Sequence, residues 1–155
     1  TEGFFKVVET FGTQIVDADG KLNRTALAEI VFNDKAALKR LEEIIHSYVW
    51  QETDKFLSEC QQSGERAAVL DIPLLIECGW HQKVDEVWLV VLPVEEQIMR
   101  TMKRSGMTAE AVQARIAAQM PLDQKKKYAT LVIDNSGAWE ETEKQVITAW
   151  EKAVK

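Results

Sequence analysis

The sequence predicts an α/β protein built on a parallel sheet. Two apolar runs rich in branched residues, 67–70 and 86–92, are each closed off by a proline, Pro73 and Pro93. Buried strands end this way because proline cannot donate to a ladder. A third short run, Leu131-Val132-Ile133-Asp134, closes in the turn residues Asn135-Ser136-Gly137. Around all three, apolar residues recur every three or four positions, the period of helices that cover a sheet. Buried strands alternating with helical stretches imply parallel order.

At 155 residues and 46% hydrophobic content, the chain suits a single domain with its own core. A net charge of −6 argues against nucleic acid as a partner, yet leaves room for a local basic patch facing a phosphorylated small molecule. Cys60 and Cys78 show neither metal-ligand spacing nor a disulfide framework, which fits a reducing, cytoplasmic setting. They read as small apolar fillers. No apolar run reaches the length needed to cross a bilayer. The start Thr1-Glu2-Gly3-Phe4 is neither a signal peptide nor an initiator methionine, so the chain is expected to open within a longer structure.

In chain order, Phe4, Val7, Val8 and Phe11 fall at helical spacing and Gly12 supplies a C-cap. Ile15 to Arg24 reads as a short extended piece and a turn, after which Thr25 caps a helix that Asn33-Asp34 breaks. From Lys35 to about Gln62, Leu38, Leu41, Ile45, Val49, Phe56 and Cys60 mark one long amphipathic helix or two in tandem. Residues 20–63 are thus a helical lobe set ahead of the first strand. After the second strand, a helix over 94–104 carries Glu95 and Glu96 in its first turn and Arg100, Lys103 and Arg104 near its end, as the helix dipole favours. Ser105-Gly106 closes it, and Thr108 caps the next helix, which runs through Gln119 to Pro121. The last stretch, with Trp139, Val146, Ile147, Trp150 and Val154 on one stripe, is a terminal helix packing on the sheet. Trp88 and Trp150 read as core.

The chemistry candidates begin with Asp71, at the end of the first strand. Carboxyl ends of parallel strands form the ligand crevice, where an aspartate can hold Mg²⁺ or accept a hydrogen bond from a substrate hydroxyl; it can also simply form the turn before Ile72-Pro73. The helical hairpin offers Arg100, with Arg115 and Gln119 at i and i+4 on one face of the next helix, and guanidinium forks suit phosphate oxygens. Lys125, Lys126 and Lys127 read as solvated surface. His46, inside an apolar-periodic helix, reads as a satisfied, partly buried histidine.

Taken together, Asp71-Ile-Pro-Leu-Leu-Ile-Glu77, Gln97-Ile-Met-Arg100, Arg115-Ile-Ala-Ala-Gln119-Met-Pro121 and Val132-Ile-Asp-Asn135-Ser-Gly137 resemble dephospho-CoA kinase. Phe11-Gly12, Asp19-Gly20-Lys-Leu-Asn-Arg24 and Ile45-His46 match the same family in the same order, so the resemblance covers essentially the whole chain. It implies a three-layer P-loop kinase fold with a helical lobe for the CoA substrate, at about 20–63, and a helical lid, at about 94–127. It also implies transfer of the ATP γ-phosphate to the ribose 3′-hydroxyl of dephospho-CoA with Mg²⁺. By position, Arg100 becomes the lid arginine on the ATP phosphates, with Arg104 and Arg115 in support. Asp71, Leu74, Leu75 and Glu77 border the CoA substrate, His46 and Arg24 belong to its lobe, and Asn135 to Gly137 lie near adenine. His46 is followed by Ser47 where the family usually has proline.

Phosphoryl transfer in that fold depends on G-x-x-x-x-G-K-[ST], whose amides cradle phosphates, whose lysine neutralises them and whose hydroxyl holds Mg²⁺. No such motif occurs here; the one Gly-Lys pair, Gly20-Lys21, is followed by Leu22. Val16-Asp17-Ala18-Asp19 imitates the family's catalytic Val-Asp-Ala-Asp, but its continuation into Gly20 to Arg24 assigns it to the turn that opens the helical lobe. The expectation is an incomplete kinase domain over 1–155 that lacks its central P-loop strand and is inactive alone. The other class that fits is a non-catalytic ligand-binding or interaction module derived from a nucleotide kinase.

Overall fold

A computed structural model describes residues 2–155, and the chain divides into two compact units, Thr1–Ala68 and Val69–Lys155. The first is helical: α1 (Glu2–Phe11), α2 (Arg24–Asn33) and α3 (Lys35–Gln62). Gly12 ends α1 at φ 83°, a backbone angle that favours glycine, and its N–H donates to Val8 O at 2.8 Å. The expected turn follows. Asp17 Oδ1 accepts from the Asp19 and Lys21 N–H groups at 3.0 and 2.8 Å, and Val16 bridges Leu22 in antiparallel fashion. This carboxylate serves its own turn, as aspartates do in short loops.

The cap of α2 is Asn23, not Thr25. Asn23 is extended and its Oδ1 accepts from Ala26 N at 3.1 Å, so the helix begins before threonine is reached and Thr25 lies inside the first turn. Asp34 caps α3 through Ala36 N at 2.8 Å, and α3 is one helix of 28 residues. Val7, Phe11, Ile15, Leu27, Val31, Ala37 and Leu41 form the core of this unit, so only the first third of α3 is buried in it. Ile45, Val49 and Phe56 stay exposed on the same helix.

The predicted first strand is not one. Residues 67–72 join no ladder, and Val69 is 73% exposed. A strand exists only by hydrogen bonding to a neighbour, and among the described residues none lies beside this segment; apolar content cannot substitute for that neighbour. The other two strands are as expected. β1 (Trp88–Val91) pairs in parallel with β2 (Leu131–Asp134), Trp88 opposite Leu131 and Val91 opposite Asp134. Thr130 locks their entry: its Oγ1 accepts from Val87 N at 3.0 Å and its N–H donates to Val87 O at 2.9 Å.

Between the strands lie α4 (Val94–Ser105), α5 (Ala109–Ala117) and the single turn α6 (Leu122–Lys125). Gly106 ends α4 at φ 68°, and Thr108 Oγ1 accepts from Ala111 N at 3.3 Å, both as read from the sequence. Helix α5 stops at Ala117, short of Gln119, so Arg115 and Gln119 do not share a helical face.

The terminal helix α7 (Trp139–Ala153) meets β2 through polar groups rather than its apolar stripe. Gln145 lies along the open edge of β2: its Oε1 accepts from Asp134 N at 2.9 Å and its Nε2 donates to Asp134 O at 2.8 Å, standing in for a neighbouring strand. Trp139, Val146, Ile147 and Trp150 are exposed, which corrects both the packing stripe and the assignment of Trp150 to the core. Periodicity reveals that a stripe exists, not that its partner is beside it.

Candidate functional site

In the second unit, the chain leaves both strands at the same edge, since the ends Val91 and Asp134 are paired in a parallel sheet. Such an edge is where α/β proteins bind ligands. Asn135 N continues the ladder to Val91 O at 2.9 Å, while its Oδ1 accepts from Thr142 Oγ1 at 3.2 Å. The two bonds fix the asparagine at the mouth of the sheet. The Ser136 side chain and N–H both donate to Asp134 and hold its carboxyl below the usual aspartate range; the N–H bond is 2.8 Å long. Glu141 reaches back to Ala138 N at 3.2 Å, and its carboxylate occupies the space that a side chain at Gly137 would need.

The stretch after Asp71 folds into successive turns. Pro73 cannot extend a ladder, and Leu75 N, Cys78 N and Trp80 N return to Ile72, Leu74 and Leu75 carbonyls at 3.2, 3.0 and 2.9 Å. Buried Ile76 anchors this segment, Leu74 is exposed, and Leu75 is half-buried. Asp71 is exposed.

Glu77 is the most constrained residue of the set. Its Oε1 accepts from Lys125 Nζ at 2.7 Å and from Met120 N at 3.2 Å, and Lys125 Nζ also donates to Gln119 Oε1 at 3.3 Å. Burial pushes the Glu77 carboxyl up, but the Lys125 hydrogen bond and charge and the Glu77 and Met120 N–H groups outweigh it, so the group sits below the usual glutamate range. Lys125 is therefore not solvated surface: it is 8% exposed. Consecutive helical residues point about 100° apart, so one of three adjacent lysines turns inward while Lys126 pairs with Asp123 at 3.2 Å and Lys127 stays exposed. Sequence reasoning missed Lys125 because a charge run carries no sign of which member faces in.

Arg100, on α4, pairs with Glu96 Oε2 at 2.8 Å on an exposed face. Arg104 and Arg115 are exposed on α4 and α5, and Gln119 is committed to Lys125. In the first unit, Arg24 is the exposed first residue of α2 and His46 is half-buried in α3. Among the described residues, open grooves include one of about 450 Å³ between α1 and α3 and one of about 820 Å³ between β2 and α7. Neither is lined by Asp71, Arg100 or Asn135; in α/β proteins it is the edge at the ends of parallel strands that collects ligands. Among the described residues no three His, Cys, Asp or Glu side chains are grouped as metal ligands. No described helix is long and apolar enough to cross a membrane.

The sequence profile of the CoaE family, dephospho-CoA kinase, matches residues 1–141. A dephospho-CoA kinase from Symbiobacterium thermophilum is 44% identical over 153 residues, which are 99% of this chain and 64% of the relative. One from Carboxydothermus hydrogenoformans is 45% identical over 147 residues, 95% of this chain and 71% of the relative. Among solved structures, TT1252 from Thermus thermophilus superposes with a TM-score of 0.75 at 35% identity, covering 97% of this chain and 75% of that one. A dephospho-CoA kinase from Campylobacter jejuni gives 0.67 at 25% identity, covering 96% and 74%. The chain thus spans between 64% and 75% of the length of these four relatives.

Proposed function

The chain belongs to the dephospho-CoA kinase family, and from that premise we infer that its ligands are dephospho-CoA and ATP and that it works in the cytoplasm. The observation carrying this reading is the family match over residues 1–141, supported by a parallel sheet edge that holds Asn135 beside the end of β1. Leu74, Leu75 and Glu77 border dephospho-CoA, Asp71 stands at the edge of that site, and Arg24 and His46 serve the helical lobe over about 20–63. Asn135 and Gly137 lie near the adenine of ATP. Arg100, with Arg104 and Arg115, meets the ATP phosphates from a lid formed by α4 to α6. The whole chain is one kinase domain by this reading, and its own 155 residues do not complete the transfer of phosphate to the ribose 3′-hydroxyl.

Equilibrium binding tests the ligand. Calorimetric titration of the 155-residue chain is expected to show dephospho-CoA binding more tightly than any nucleoside monophosphate; equal or tighter binding of a monophosphate would overturn the assignment. Arg100 gives a second test. Its present partner is a half-exposed pair within one helix, worth a few tenths of a kcal/mol, so the guanidinium is cheaply redirected to a phosphate. Arg100→Ala is expected to weaken ATP binding about tenfold, the scale of one charged hydrogen bond, and to leave the thermal midpoint nearly unchanged. An unchanged ATP affinity would remove Arg100 from the site.

A further inference from the structure

Lys125 is the one buried charged residue among the described residues, and nothing above gives it a ligand. Its ammonium holds Glu77 Oε1 at 2.7 Å and Gln119 Oε1 at 3.3 Å, while Met120 N donates to the same Glu77 oxygen at 3.2 Å. The other oxygen, Oε2, is closed off from solvent and has no hydrogen-bond partner. A ligand arriving from solution therefore finds neither Glu77 oxygen available: one is committed to two donors and the other is covered. Turning Glu77 outward would strand a buried ammonium, which is far costlier than losing an exposed pair. One residue turn further on, the His81 ring lies against Tyr128, centroids 4.7 Å apart and tilted by 57°. The segment 77–81 is thus tied twice to the segment 119–128, once by charge and once by a tilted ring contact.

We propose that Glu77 and Lys125 are positioning residues, a latch that fixes the turn bearing Leu74 and Leu75 to the chain leaving α5, so that Glu77 shapes the dephospho-CoA site without touching the ligand. The ligand-binding part of this rests on dephospho-CoA being the occupant of that turn; the latch itself rests on the geometry alone.

Two variants, Lys125→Met and Glu77→Gln, and their combination decide it in the full 155-residue chain. Hydrogen exchange at the Met120 amide is expected to quicken about tenfold in Lys125→Met, the loss of one modest hydrogen bond, while the amides of β1 keep their protection. Dephospho-CoA binding is expected to weaken by about tenfold in each single variant and no further in the double, the signature of two residues acting as one unit. Unchanged Met120 exchange would overturn the latch, and additive losses, or a loss confined to Glu77→Gln, would assign Glu77 to direct contact instead. If the unmodified chain binds no dephospho-CoA, the ligand assignment fails while the exchange result still decides the latch. A measurement that needs no variant is the Met120 ¹⁵N shift, which is expected to follow the protonation of Glu77 below the ordinary glutamate range; a shift that stays constant through that titration would also overturn the latch.

Discussion

Replacing Lys125 with alanine will lower the stability of the Val69–Lys155 unit by about 2 kcal/mol and flatten its response to acid. The side chains of Lys125 and Glu77 are 10% and 21% exposed, so removing the ammonium leaves a carboxylate largely out of water with only N–H donors for company. The full cost of orphaning a buried charge is about 3–5 kcal/mol; the residual access of Glu77 to solvent keeps the effect nearer the lower figure. The pH dependence has a definite sign. Glu77 is held below its ordinary value in the fold, so the unfolded chain binds the proton more readily, and the stabilisation is fully present above the ordinary glutamate range and lost as pH falls through the lowered value. In Lys125→Ala the opposing effect of burial gains weight, and the increment gained between acid and neutral pH shrinks. Urea unfolding of both chains from about pH 3 to pH 7 measures it. A variant as stable as the unmodified chain, with the same acid slope, would show that the pair contributes nothing.

The parts of this molecule legible in the sequence are those decided within a few residues. Gly106 and Thr108 mark one helix end and the next helix start because a left-handed C-cap and a hydroxyl N-cap are local devices. The strands β1 and β2 announce themselves as branched runs stopped by Pro93 and by Asn135-Ser136-Gly137. What failed depended on distant partners. Val69 has the composition of a strand residue and no ladder, because a ladder needs a neighbour that composition does not supply. Asn23 took the cap from Thr25, a choice between two good capping residues two positions apart that the first helical dihedral decides. Lys125 faces inward because Glu77, nearly fifty residues earlier, is there to receive it. Around the proposed site the same division holds: Arg100 and Asn135 are named from local pattern alone, whereas the pairing that immobilises Glu77 is visible only in three dimensions. By the latch we propose, Glu77 supports the substrate's border rather than contacting the substrate.

The polypeptide of this sequence, taken alone, will bind dephospho-CoA and yet release no ADP above the uncatalysed rate. Catalysis of phosphoryl transfer is almost entirely positioning and charge stabilisation, so the loss of a phosphate cradle removes most of it at once. The cradle in P-loop kinases is a glycine-rich loop whose amides, lysine and hydroxyl surround the transferring phosphates, and these 155 residues contain no G-x-x-x-x-G-K-[ST]. The Gly20-Lys21 pair does not substitute: the Lys21 N–H and Asp19 N–H are taken by Asp17 Oδ1 in a closed turn, leaving no ring of free amides there. Arg100 alone can draw a phosphate but cannot align it, because a single guanidinium on an exposed helix fixes neither the γ-phosphorus nor the attacking hydroxyl. Single arginines that complete an existing cradle are worth about 10³- to 10⁵-fold, a gain available only when the rest of the machinery holds the phosphates in line. The check is a coupled ADP-release assay with ATP, Mg²⁺ and dephospho-CoA, run beside a calorimetric titration of the same preparation. Binding without turnover is the expected pair of results. ADP release that scales with the concentration of this chain and requires dephospho-CoA would mean that the described residues orient the phosphates by another route, and Asp71 and the α4–α5 arginines would be the first side chains to replace.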